Sequence, residues 1–445
     1  MSAAVLLRAL ASLVVLRSMP LVSDAHDYFE CAVRFAAGDT GGAFYWPPGE
    51  SFAIAPLVAT LGPSVTAARI LTIGMSVATV AVSALLTLEV GGRRAARAAA
   101  WIAALYPPAA LLCGQTYAQH LAALCLALLA YFGLRAVREG KLWQFASAGA
   151  ALGIGCLTRP SMLSVVPVLA VGLWLAARRH DVRLRHLVAG GVLGSCVALA
   201  FLGPVLAHDA HAGAGWTLST NNERNLFLGN NPYTPDYKTS QLGQRSLDEL
   251  DPETRGYLES FYERADARSA MRDEAIAYVR AHPLRSALRT FNRTISFWGF
   301  DYLATREIQK WYGIGTVRAL PLLALEAGGY VALAVLAMVG VLGMRGLGSG
   351  SSGERESGER CWVWWLLGLV AAYEVPYAVA FSGGAYHFPV VPLLVPFAAA
   401  ALSRLVEEGV DGVRSLLATK GARVALAVFA AVQVQYAWYA VAFAQ

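Results

Sequence analysis

The chain has 445 residues, of which 56% are hydrophobic and only 15% charged. Soluble globular proteins carry about 25% charged residues, so the composition excludes an ordinary water-soluble domain. The formal net charge of +6 does not point to nucleic acid, because its arginines sit in short loops between apolar runs.

Nearly uncharged stretches of about 20 residues recur along the chain, each long enough to cross a hydrocarbon core of about 30 Å as a helix. Spans are expected at roughly 4–22, 64–90, 97–113, 119–136, 143–158, 161–177, 187–207, 318–344, 361–381, 387–404 and 422–442. About eleven spans describe an all-α polytopic membrane protein. The first apolar run resembles a cleaved signal peptide, but the amount of membrane that follows favours a signal anchor retained as the first helix. The six cysteines are scattered without C-x-x-C spacing, and most lie in apolar runs. They read as small core residues, with no metal site among them.

Every second short loop is basic: Arg93, Arg94 and Arg97; Arg135, Arg138 and Lys141; Arg178, Arg179, Arg183 and Arg185; Arg345, Arg355 and Arg360; Arg404, Arg414, Lys420 and Arg423. These loops are expected in the cytoplasm, with the N-terminus inside and the C-terminus outside. Three regions follow: a transmembrane core at 1–207 that includes an outer loop at 23–63, a large outer loop at 208–317, and C-terminal transmembrane helices at 318–445. The large loop holds an amphipathic pattern around Ala265–Phe300, with Arg280, Arg285, Arg289 and Arg293 between apolar positions, suited to the membrane surface. Gly346–Gly358 reads as a flexible cytoplasmic linker.

The chemistry gathers in the outer segments. Asp24, Asp27, Glu30 and Asp39 crowd the start of the first loop. A carboxylate where the apolar run ends faces partial desolvation, which raises its pKa and makes it a better base. Asp24 and Asp27 are the candidate catalytic residues; the bland alternative is an N-cap and a solvated charge. Asp24 and Tyr28 share a helix face. Tyr45-Trp46-Pro47-Pro48-Gly49 forms a rigid aromatic turn, an interfacial anchor or a surface for a sugar or lipid.

Gln115, Thr116, Tyr117, Gln119 and His120 make a polar knot at the outer end of the third span. A lone His there serves as readily as a structural donor. Arg159, in the short outer turn Thr158-Arg159-Pro160-Ser161, runs against the positive-inside trend. Its guanidinium suits a phosphate, or snorkels to headgroups. The run Trp216–Pro232 contains Asn221, Asn222, Asn225, Asn230 and Asn231, which implies turns rather than a helix and offers amides to a sugar. Tyr386 and His387 open the tenth span, where His387 is placed to meet the same phosphate as Arg159.

In this order the segments resemble the polyprenyl-phosphate-dependent glycosyltransferases of the GT-C fold, in the branch of lipid A aminoarabinose transferase and the protein O-mannosyltransferases. The matching motifs are S-D-A-x-x-Y at Ser23 to Tyr28, Y-x-P-P-G at Tyr45 to Gly49, L-T-R-P at Leu157 to Pro160, and S-T-N-x-x-x-N-L-x-x-G-N-N-P at Ser219 to Pro232. Looser matches are A-x-x-Y-x-x-x-H-P around Ala277 to Pro283 and Y-x-x-P-x-x-P at Tyr386 to Pro392. The resemblance implies that Asp24 is the catalytic carboxylate, that the donor is a sugar on a polyprenyl phosphate, and that a lipid, glycan or protein acceptor lies on the extracytoplasmic face of a bacterial inner membrane. Tyr28, Tyr45, Pro48, Gln119, His120, Arg159, Asn221, Asn225, Asn230, Tyr386 and His387 are the expected substrate-binding residues.

Three departures bear on this. Ala25 stands where relatives often carry an acid beside Asp24, Gln119 and His120 stand in place of an S-E-T segment, and Ala385 replaces an arginine. The missing carboxylate argues against a metal held by both loops. Some relatives also carry a long C-terminal soluble domain, which is not seen here. The rival readings are a flippase or transporter of lipid-linked sugars and a non-catalytic lipid-binding member of a glycan-assembly complex.

Overall fold

The computed structural model describes residues 1–177, 184–237, 242, 246–346 and 353–442. Helix dominates, and no strand occurs among the described residues. In the first half these are α1 (Ser2–Ala9), α2 (Asp24–Ala36), α3 (Gly49–Leu61), α4 (Val65–Leu105), α5 (Pro107–Leu112), α6 (Gln119–Glu139), α7 (Leu142–Thr158), α8 (Val166–Ala177) and α9 (Leu184–His211). Then come α10 (Asn222–Gly229), α11 (Pro252–Tyr262), α12 (Ala267–Ala281), α13 (Pro283–Trp298) and α14 (Leu303–Tyr312). The chain closes with α15 (Thr316–Gly346), α16 (Gly353–Val379), α17 (Val391–Leu417) and α18 (Lys420–Ala442).

Among the described residues six helices are long and apolar enough to cross a bilayer, and the protein is a multi-pass membrane protein. The count of eleven is not reached on this measure. Three expected spans are short apolar helices of 10–17 residues, at Ser2–Val15, Leu142–Thr158 and Pro160–Gly172. The expected second and third spans are joined in α4, which kinks at Gly92, where φ is 76°. Arg178, Arg179, Arg183 and residues 347–352 of the expected linker lie outside the described residues, and from Gly353 the chain is already α16.

Buried polar groups tie the bundle together. Arg8 in α1 donates to Ser76 Oγ at 2.7 Å and to the carbonyls of Ala104 and Ala103 at 2.8 and 3.0 Å. Small residues let backbones touch: a Cβ at Gly149 of α7 would collide with the Gly194 carbonyl of α9, and one at Gly340 of α15 with the Phe397 carbonyl of α17.

Two expectations for the large loop change. The Asn-rich run is partly helical, as α10, because Phe227 and Leu228 bury against Leu258 of α11 and Met271 and Ala275 of α12. Tertiary burial here outweighs the turn preference of asparagine. The amphipathic segment breaks at His282 into α12 and α13, and two of its arginines point inward. Arg289 donates to Asp236 and to the Asn231 carbonyl, both at 2.9 Å, while Arg293 donates to the carbonyls of Gly229 and Val379. Leu284, Leu288 and Phe291 form the exposed apolar face of α13.

Candidate active site

The polar segments singled out in the sequence converge because they hydrogen-bond to one another. Gln115 binds the chain before α2, accepting from Val22 N at 3.0 Å and donating to the Pro20 carbonyl at 2.9 Å. Thr116 Oγ1 donates to the Ala25 carbonyl at 3.1 Å and Ser51 Oγ to that of Tyr28 at 2.9 Å, so α2 is held from both sides. Thr220 N donates to the Phe44 carbonyl at 2.8 Å and Ser219 Oγ to that of Tyr45 at 2.7 Å, which locks the aromatic turn to the Asn-rich run.

These ties enclose a cavity of about 530 Å³. Of the expected residues, Asp24, Tyr28, Gln119, Arg159, Asn221, Asn225 and Tyr386 line it. Asp24 is the first residue of α2 and Ser23 occupies the cap position, so the N-cap alternative for Asp24 fails. Ser23 has a φ of 51°, a strained conformation next to the carboxylate it contacts through Oγ at 3.3 Å. Burial holds the Asp24 carboxyl above its usual range, while the Arg159 charge draws it back. Arg159 lies over the Tyr386 ring, 5.6 Å from its centre, and its Nε has no hydrogen-bond partner. Tyr386 stacks on Tyr377, whose hydroxyl lies 2.9 Å from Ser161 Oγ. Gln119 Oε1 and Asn221 Oδ1 are buried without partners. Unpaired acceptors in a polar cavity are what a hydroxyl-bearing ligand satisfies.

The other expected residues lie outside the lining. Asp27 accepts from Trp46 Nε1 at 3.2 Å, so it acts on the cavity through an indole that lines it. Tyr45 is exposed and packs edge-on against Trp46, and Pro48 is buried at the start of α3. His120 is buried 3.7 Å from Cys113 Sγ, in a separate small cavity beside Arg8. Asn230 donates to the carbonyls of Leu226 and Val379 at 2.9 and 3.0 Å, a structural role. His387 does not join Arg159; its Nδ1 sits 2.8 Å from the Phe297 carbonyl and its ring stacks on Tyr330 at 3.8 Å.

Further residues complete the wall: Tyr117, Arg224, Asp301, Arg306, Glu307 and Tyr436 among them. Asp301 Oδ1 accepts from Leu303 N at 3.0 Å, while Oδ2 is buried and unpaired. Burial raises its carboxyl. Arg306 pairs with Glu307 at 2.8 Å. The one sequence signal for this side was the polar run from Asp301 to Glu307 before an apolar span. No group of three or more His, Cys, Asp or Glu suited to a metal occurs among the described residues.

A family profile described as dolichyl-phosphate-mannose-protein mannosyltransferase matches residues 46–208. A search of curated protein sequences finds no match. Among solved structures, the oligosaccharyltransferase AglB from Archaeoglobus fulgidus, in complex with an inhibitory peptide and a dolichol-phosphate, aligns with 100% of this chain and 55% of its own, at 15% identity and a TM-score of 0.54. This chain therefore spans about half the length of that neighbour. ArnT from Cupriavidus metallidurans bound to undecaprenyl phosphate aligns with 91% of this chain and 75% of its own, at 15% identity and a TM-score of 0.42. The chain thus has the GT-C fold and, over residues 46–208, is similar to the dolichyl-phosphate-mannose-protein mannosyltransferases.

Proposed function

We propose that the protein is a membrane glycosyltransferase that moves a sugar from a polyprenyl-phosphate donor to a hydroxyl-bearing acceptor on the extracytoplasmic face, with inversion. The observation that carries this reading is one cavity lined by both a desolvated carboxylate, Asp24, and an arginine with an unsatisfied donor, Arg159. The dolichol-phosphate in the AglB complex supports the choice of lipid.

Each residue has a defined task. The acceptor oxygen attacks the anomeric carbon as Asp24 takes its proton. The bond from that carbon to the phosphate oxygen breaks, and its electron pair leaves with the lipid phosphate. Phosphate is a good leaving group, so a cation suffices and a strong acid is not needed. Arg159 supplies the cation, and Asn221, Asn225 and Gln119 bind hydroxyls. The position expected for these groups, at the outer ends of the spans, favours surface chemistry over transport through the midplane.

Asp24→Asn tests the assignment. Transfer is expected to fall by a factor on the order of 10²–10⁴, the contribution of a positioned base, while expression and thermal unfolding stay unchanged. Full activity in this variant excludes Asp24 as the base.

A further inference from the structure

Beneath the cavity wall lies a carboxyl that the proposed chemistry does not use. Glu50, in the first turn of α3, is fully buried, and neither of its carboxylate oxygens has a hydrogen-bond partner. An orphaned carboxyl in a protein interior is costly and asks for an explanation.

Its position supplies one. The start of α3 is pressed against the end of α7: a Cβ on Gly49 would lie 2.6 Å from both the nitrogen and Oγ1 of Thr158. Glu50 thus sits beside the turn that carries Arg159 into the cavity. Arg159 is the charged group acting on Glu50, and Tyr28 of α2 and Cys125 of α6 are the titratable groups that sense it. Arg159 in turn has an unpartnered Nε.

We infer that Glu50 is a positioning residue that sets the net charge with which Arg159 meets the lipid phosphate, so that phosphate binding weakens as pH rises. This rests on the phosphate-binding role proposed for Arg159. Burial pushes the Glu50 carboxyl up to about 8, and the Arg159 charge opposes that rise. Below that pH Glu50 is neutral, and the guanidinium offers its whole charge to a phosphate. Above it the new anion competes with the phosphate for the same cation. Linkage runs both ways: a phosphate on Arg159 holds the Glu50 proton more tightly.

The test is binding of undecaprenyl phosphate to the purified full chain in detergent, from about pH 6.5 to about pH 9, across the range where the group titrates. The wild type is compared with Glu50→Gln and Glu50→Met, each checked by thermal unfolding. The methionine variant guards against a fold that tolerates no amide, since apolar replacement of a buried charge is often neutral or stabilising. The probe phosphate also titrates here, so the readout is the ratio of variant to wild-type affinity. That ratio is expected near one at the acid end and about fivefold at the alkaline end, on its way to the roughly tenfold limit that one pKa unit of coupling sets. Parallel profiles for wild type and both variants overturn the inference while leaving the role of Arg159 intact. If Arg159→Met binds the lipid as well as the wild type, the functional reading fails, and this inference with it.

Discussion

Asp24 is pulled in two directions, upward by burial and downward by Arg159. As the proposed base it would work ionised, so the acid limb of kcat/KM against pH is expected above the ordinary aspartate value of about 3.9. Removing the Arg159 charge takes away the largest opposition to burial and leaves the Ser23 hydrogen bond as a weaker one. In Arg159→Met the limb moves to higher pH, by roughly one unit or more for a close opposite charge, on top of a lower kcat/KM. A limb that stays in place assigns it to another group. The residues that short motifs carry were largely legible: Asp24, Tyr28, Arg159, Asn221 and Tyr386 reach the cavity as their order along the chain implied. His387 and Asn230 sit in the same motifs yet serve the packing, since spacing does not say which way a side chain turns. Asp301 and Arg306 had only the polar run before an apolar span as a marker, and Tyr436 had none, because the packing of α14, the segment before it and α18 delivers them.

At the scale of elements, apolar runs and basic loops located the helices, but not how they touch. Gly149 and Gly191 both lie in apolar helices and look alike in the sequence. A side chain at Gly149 would meet the Gly194 carbonyl, whereas one at Gly191 meets open space. Gly149→Val is therefore expected to lower thermal stability in detergent, by about 1–3 kcal/mol from overpacking α7 against α9. Gly191→Ala is expected to raise it slightly, by about 0.5–1 kcal/mol, since alanine favours the helix. Equal shifts for the two count against this close packing. The α12–α13 segment shows the complementary limit. Its period was readable, but Arg289 and Arg293 turn inward because the carbonyls of Asn231, Gly229 and Val379 need donors there.

For the whole molecule the open quantity is sidedness, which joins the span count to the chemistry. Basic short loops belong in the cytoplasm, and an odd number of spans puts the termini on opposite sides. Lys141, in the turn between α6 and α7, and Trp216, beside the Asn-rich run, are both exposed positions. On this topology they face opposite compartments. In a background with Cys31, Cys196 and Cys361 replaced by alanine, Trp216→Cys is expected to react with a membrane-impermeant maleimide in intact cells. Lys141→Cys is expected to react after permeabilisation and not before. Labelling of both from outside leaves an even number of crossings between the two positions, against the three expected from α7, α8 and α9. Labelling of Lys141→Cys alone inverts the molecule and moves the Asp24 cavity to the cytoplasmic face. On the proposed function, a lipid-linked sugar reaches Asp24 only on the leaflet where that cavity opens, so the labelling pattern decides which pool of donor the protein would draw on.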